Sequence, residues 1–343
     1  PVFIIAQAFA WCLGDGCAAY LNICQGRNDD ENAHRAIGSS VTVAFLSGLA
    51  MIVLILPFRD PILTLFGASE NTMAYATEYL NVILVMMPVY ILCNMMNSVI
   101  RADGSPSWAM ASMLVGAITN IILDPVFIFG FKMGMTGAAL ATIIGQAVSF
   151  LFSLWYLYRR KEEFGFDFKK ESFRLDGHYS KMILTLGAPM AVQSGCINLS
   201  MLFVNSMINN VGVVASATFG VGVRIDDIAN KICQGIQHAA MPMISQNIAA
   251  GKKKRSVQVV YYTWIFSAVL TAAFMAAYII FGKELFMLFS DYPAVHEMSG
   301  TFIKAILWLF PALLFMRGTG AFIQGIGNAR MSMVLALLDG VVL

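Results

Sequence analysis

Long apolar runs, each closed by a short polar segment, set the pattern of this chain. A helix needs about 20 mainly apolar residues to cross the hydrocarbon core of a bilayer. Runs of that kind cover about 2–25, 37–57, 76–100, 107–130, 137–158, 183–209, 214–249, 258–281, 298–324 and 331 to the end, ten in all. They are far longer than the roughly 9–11 residues of a barrel strand, and none alternates in the two-residue period of a strand. The first run is too long and wrongly flanked for a signal peptide. The pattern therefore predicts an all-α polytopic membrane protein.

The polar segments between the runs set the orientation, because cytoplasmic loops carry the excess of Lys and Arg. With Arg27 and Arg35 inside, alternate loops place Arg101, the cluster from Arg159 to Lys181, Lys252 to Arg255, and Arg330 on the same side. That side collects fifteen basic residues, against only Arg59, Lys132 and Lys283 opposite. A plasma-membrane protein is expected, with loops 26–35, 101–107, 159–181 and 251–257 cytoplasmic. The longest polar stretch, 159–181, reads as a linker between an N-terminal lobe at 1–158 and a C-terminal lobe at 182–343. Binding of anionic lipid is a compatible role for it.

Composition agrees with the pattern. The chain is 58% hydrophobic and 12% charged, with mean hydropathy +0.72, whereas a soluble domain carries about 25% charged residues. The basic residues lie in short clusters between apolar runs, so no nucleic-acid footprint is expected. Cys12, Cys17, Cys24, Cys93, Cys196 and Cys233 all fall in apolar stretches without metal-site spacing and read as small buried residues. The histidines His34, His178, His238 and His296 fall mostly in loops or at helix ends, which argues against an intramembrane enzyme. No repeated filter motif suggests a channel.

An internal repeat runs through the chain. Residues 60–66 (DPILTLF) resemble 283–289 (KELFMLF), and at the same offset Pro88 meets Pro311, Ile100 meets Ile323, Gly104 meets Gly327 and Met110 meets Met333. The loop starting at Gly26 parallels the one starting at Gly251 with a slip of two residues. Both copies keep the same orientation, which makes this a parallel repeat. The first copy lacks a partner for 183–209, and the second stops within the partner of 107–130. The expectation is twelve helices, six per half, ten of them wholly or partly in this chain, which begins at Pro1 and reads as truncated at both ends.

Candidate chemistry concentrates at Asp124, deep in span 107–130 with no adjacent cation. A carboxylate in the membrane is costly unless paired, solvated or neutralised, and marks function by default. Asn120 lies one turn earlier on the same helix side, and Pro125 removes a backbone hydrogen bond beside it. Asn97 and Thr142, on neighbouring spans, add oxygens. Carboxylate, amide and hydroxyl oxygens at Asp124, Asn120 and Thr142 suit Na⁺, and the same carboxylate suits a proton. The alternative for Asn97 and Thr142 is helix–helix hydrogen bonding, and for Asn120 it is satisfying the carbonyl freed by Pro125. In the second half, Arg224, Asp226, Asp227 and Lys231 share span 214–249. Asp227 is spaced to pair with Arg224 and Lys231. These charges read either as a structural network or, with Gln193 and Asn198, as a polar cavity wall. Arg317 and Asp339 are further intramembrane charges expected to pair. Pro88 and Pro311, like Pro125, are expected helix bends.

Three stretches carry a family resemblance. MPMISQNIAAGKKKR (241–255) resembles the signature of the multidrug and toxic compound extrusion (MATE) family, with Ala249 where that signature has its first Gly. VIRADGSPSW (99–108) and FIQGIGNARM (322–331) resemble its paired loop motifs, and NIILDPVFIFGFKMGMTGAALAT (120–142) resembles its Asn-x-x-x-Asp-Pro helix and the following turn. The resemblance covers essentially the whole chain in order. It implies two six-helix bundles forming a V-shaped, DinF-like transporter. It also implies a first-lobe cation site at Asn97, Asn120, Asp124 and Thr142, completed by an aspartate on a helix preceding this chain. The implied activity is secondary active antiport by alternating access: small, often cationic or amphipathic organic compounds leave in exchange for Na⁺ or H⁺. No cofactor beyond the coupling ion is expected, and a monomer suffices. The alternative is a lipid-linked oligosaccharide flippase of the same superfamily, whose cavity would need to be more cationic.

Overall fold

A computed structural model of the chain describes residues 2–65, 70–160, 173–290 and 292–342, and among them there is no strand. The first seven helices are α1 (Val2–Arg27), α2 (Asp30–Ile55), α3 (Arg59–Leu65), α4 (Glu70–Val85), α5 (Met87–Ala102), α6 (Pro106–Pro125) and α7 (Gly134–Arg159). They are followed by α8 (Gly177–Val211), α9 (Val213–Ala249), α10 (Lys253–Phe289), α11 (Pro293–Gly325) and α12 (Ala329–Val342).

Helices cover all ten expected spans, and many extend beyond them into the basic loops. Six are long and apolar enough to cross a membrane, or seven if α4 and α5, bent by 58°, count as one broken span. Of the others, α1 carries Asp15 and Asn22, α9 carries the 224–231 charges, and α12 is short. The α4–α5 bend lies at Met86, two residues before Pro88, whose missing N–H suits the first turn of a new helix. Pro311 sits inside the continuous α11.

The turns show how the sequence stops and restarts helices. Asn28 adopts a left-handed φ of 55°, and Asp29 then caps α2 by accepting the Asn32 backbone N–H at 3.3 Å. Asp30 and Glu31 in the first turn favour the positive helix end. Gly104 (φ 83°) follows α5 and Pro106 opens α6, the usual Gly-after, Pro-inside order. Gly251 (φ 75°) and Gly327 (φ 74°) end α9 and α11 in the same way. Asn28 and Gly251, like Gly104 and Gly327, stand at the offset of 223 that relates the sequence repeat. The turns therefore align without the two-residue slip expected at Gly26 and Gly251. The left-handed residue, not the first glycine, marks the register.

The chain divides into two compact units, Pro1–Ala191 and Val192–Leu343, the division falling within α8. Of the polar segment 159–181 expected to join the halves, residues 161–172 lie outside the described residues. In the first unit α5 is central, packing on α1, α2, α6 and α7. Its core holds Leu13, Leu84, Met87, Ile91, Met95 and Ile100, all nearly inaccessible. The second unit is a three-helix packing of α9, α10 and α11 with α12 against α11, around Ile225, Tyr278, Phe286 and Phe310. Outward-facing side chains such as Leu199, Phe203, Leu288 and Trp308 are large and apolar, as lipid contact requires. All six cysteines are free, with Cys196 half-buried and the other five buried.

Candidate coupling site in the first unit

Helix α6 is built for close approach to α7. A methyl group on Gly116 would meet the Gly145 carbonyl oxygen at 2.8 Å, and one on Gly145 would meet the Gly116 carbonyl oxygen at 2.7 Å and Asn120 Cβ at 3.1 Å. Small residues let the two backbones touch, and this seats Asn120 against α7. A serine cluster continues the seam: Ser112 Oγ bonds the Ser149 and Ser153 hydroxyls at 2.9 and 2.7 Å. From α5, Cys93 donates to Ser149 Oγ at 3.3 Å, and Asn97 Nδ2 reaches the Cys93 sulfur at 3.7 Å. The junction of α5, α6 and α7 is therefore polar inside.

Two amide atoms at this junction remain buried without a hydrogen-bond partner, Asn97 Oδ1 and Asn120 Nδ2. An orphaned buried amide atom costs about 1–3 kcal/mol. Asp124 follows Asn120 by one turn and is half-buried. Among the described residues it makes no hydrogen bond or ion pair. Thr142 Oγ1 donates to the Ala138 carbonyl at 3.0 Å, leaving its oxygen free to accept. Pro125, next to Asp124, ends regular α-helix. A π-turn over Val126–Gly130 follows, closed by Phe131 N–H to Val126 O at 2.9 Å. Such turns recur at functional sites in helices. Three adjoining helices thus supply the four expected residues, with no direct hydrogen bond between any two of them.

The unit holds a second polar group, away from the expected site. Asp15, in the middle of α1, is buried and accepts Ser98 Oγ at 3.0 Å. Arg101 lies 3.7 Å from the same carboxylate oxygen and donates to Ser98 Oγ at 2.8 Å. Asn97 thus lies beside the cysteine by which α5 bonds α7, and the next residue, Ser98, bonds α1. The available signal was a lone acid in an apolar run.

In the second unit, Asn198, Arg224 and Asp227 are exposed and Gln193 is half-buried. Asn198 donates to the Ser194 carbonyl at 2.7 Å. Arg224 and Asp227, expected to pair with each other, form no ion pair among the described residues, although both are exposed. Asp226, one residue over, faces inward instead. Arg317 bonds Asn230 and Gln237, while its expected partner Asp339 has a side chain outside the described residues.

Apolar helices with buried polar groups held between them have the build of a membrane transporter. The sequence pattern of the MatE family matches residues 1–126 and 189–342. The chain belongs to that family. It is 28% identical over 349 residues to the multidrug export protein MepA of Staphylococcus haemolyticus, with all of this chain and 75% of that protein covered. MepA of Staphylococcus aureus is 27% identical over 347 residues, with the same coverage. The outward-facing structure of a multidrug resistance MATE family transporter of the MOP superfamily superposes with a TM-score of 0.90 at 26% identity, covering 98% of this chain and 75% of that one.

Proposed function

We propose that this protein exports small organic compounds, cationic or amphipathic ones among them, by exchanging them for Na⁺ or H⁺ in alternating access. The observation that carries the coupling step is Asp124, a half-buried carboxylate without a partner, one turn from an amide with an orphaned nitrogen. The export of drugs rests on the MepA relatives. The inward side is the one bearing Lys252, Lys253, Lys254 and Arg255, by the excess of basic residues there.

The residues divide the work as follows. Asp124 takes the incoming cation, with Thr142 Oγ1 and Asn97 Oδ1 as further oxygens on adjoining helices. Neutralising Asp124 removes a charge from a low-dielectric site. The π-turn after Pro125 gives α6 a place to respond. A cation drives transport only if it favours one conformation over the other.

Efflux of a cationic dye from vesicles, measured under separately imposed Na⁺ and pH gradients, tests this reading. Wild-type protein should respond to at least one gradient, and Asp124→Asn, inserted at normal levels, should respond to neither. Gradient-driven efflux by that variant at the wild-type rate would overturn the role of Asp124.

A further inference from the structure

Helix α9 carries a second polar stripe that the proposed coupling site does not use. Asp226, Asn230, Cys233 and Gln237 recur at the spacing of one helix face. The stripe forms a continuous chain of hydrogen bonds with α11. Asn230 Nδ2 donates to Asp226 Oδ2 at 2.8 Å, and Arg317 Nη2 donates to Asn230 Oδ1 at 3.0 Å. Arg317 Nη1 reaches Gln237 Oε1 at 3.4 Å, and Gln237 Nε2 donates to Gln324 Oε1 at 3.0 Å. Helix α10 faces the stripe with Ser267, Thr271 and Tyr278, all buried. Tyr278 lies within electrostatic reach of Asp226, and Thr271 lies beside Cys233.

Four oxygens at this junction have no hydrogen-bond partner: Asp226 Oδ1, Tyr278 Oη, Ser267 Oγ and Thr271 Oγ1, each buried. Asp226 makes no ion pair among the described residues, because Asn230 stands between it and Arg317. A half-buried carboxylate with one oxygen hydrogen-bonded and the other inaccessible and orphaned is poised to bind something at the orphaned atom. Arg317 close by disfavours a metal cation there, whereas a proton needs only that one oxygen.

We infer that Asp226 is a second proton-binding site, contained wholly within the second unit. The proton comes from water and settles on Asp226 Oδ1, within the electrostatic reach of Tyr278. Ionised Asp226 offsets the charge of Arg317 through Asn230. Protonated Asp226 no longer offsets that charge, so the proton changes the balance at the helix junction. The titratable and charged groups facing Asp226 are Cys233 and Asp227 from its own helix, Tyr278 from α10 and Arg317 from α11. The inference does not depend on Asp124.

The test is infrared difference spectroscopy after a pH jump, on the full-length protein in lipid. Wild-type protein should show a protonated-carboxyl C=O band with one component that is absent in Asp226→Asn and retained in Asp227→Asn and Asp124→Asn. A Tyr278→Phe variant should keep the band at a shifted frequency, since the local field of the phenol is gone. A spectrum of Asp226→Asn matching wild type would overturn the inference. If Asp226→Asn fails to fold, an unshifted carboxyl spectrum in Tyr278→Phe would overturn it instead. Dye efflux by Asp124→Asn is read separately, so failure of the first-unit coupling role stays distinguishable.

Discussion

Asp15 and Asp124 are both acids set within apolar helices of the first unit, and the fold treats them in opposite ways. Asp15 is held by Ser98 and Arg101, whereas Asp124 is left open beside Asn120. A structural role for Asp15 follows, since removing one partner of a buried pair leaves an uncompensated charge. Arg101→Gln should lower stability by on the order of 2 kcal/mol, allowing for the partial exposure of Arg101. Pairing it with Asp15→Asn should recover most of the loss, as thermal unfolding in micelles would show. Equal, additive losses in the two single variants would contradict the pairing. Asp124 was legible in the sequence because its polar neighbours, Asn120 and Pro125, lie on the same helix. Asp15 was not, because the residues that hold it come from the far end of another helix. The same limit explains the second unit. Asp226 and Asp227 are adjacent in sequence, and only the helix packing decides which faces inward.

Elements were legible where hydropathy alone decides them. All ten spans are helical, since a run long enough to cross a membrane leaves the backbone no other way to satisfy its hydrogen bonds there. Their ends were less so. Capping by Asp29 and left-handed turns at Asn28 and Gly251 carry the helices into segments that read as loops. Close packing was also hidden, because a glycine does not announce its neighbour. A methyl group on Gly187 in α8 would lie 1.7 Å from the Cys12 carbonyl oxygen of α1, and one on Gly16 would lie 2.3 Å from the Ile183 carbonyl oxygen. Both obstacles are backbone, which side-chain rotation cannot relieve. Gly187→Val should therefore destabilise the first unit by about 3 kcal/mol or more. Gly195→Ala, in the same helix with nothing within 4 Å of the added methyl, should change stability by no more than about 0.5 kcal/mol. Similar melting temperatures for the two variants would contradict the backbone contact between α1 and α8.

At the scale of the molecule, two helical units carry separate polar interiors, one at the α5–α6–α7 junction and one at the α9–α10–α11 junction. The repeat and the family were legible because turn residues and basic motifs recur in register. Substrate choice was not, since it depends on which apolar side chains line a cavity, and Phe and Met stripes look alike in sequence whether they face lipid or substrate. The proposed transport is an exchange: a compound leaves because an ion enters. Coupling is reciprocal, so a substrate gradient must be able to drive the ion. The most direct measurement loads vesicles containing the full-length protein with cationic dye, sets equal Na⁺ and pH on both sides, and follows ion movement as the dye leaves. Exchange predicts Na⁺ or H⁺ moving opposite to the dye, with that countermovement lost in Asp124→Asn. Dye leaving through the wild-type protein with neither ion moving would contradict it.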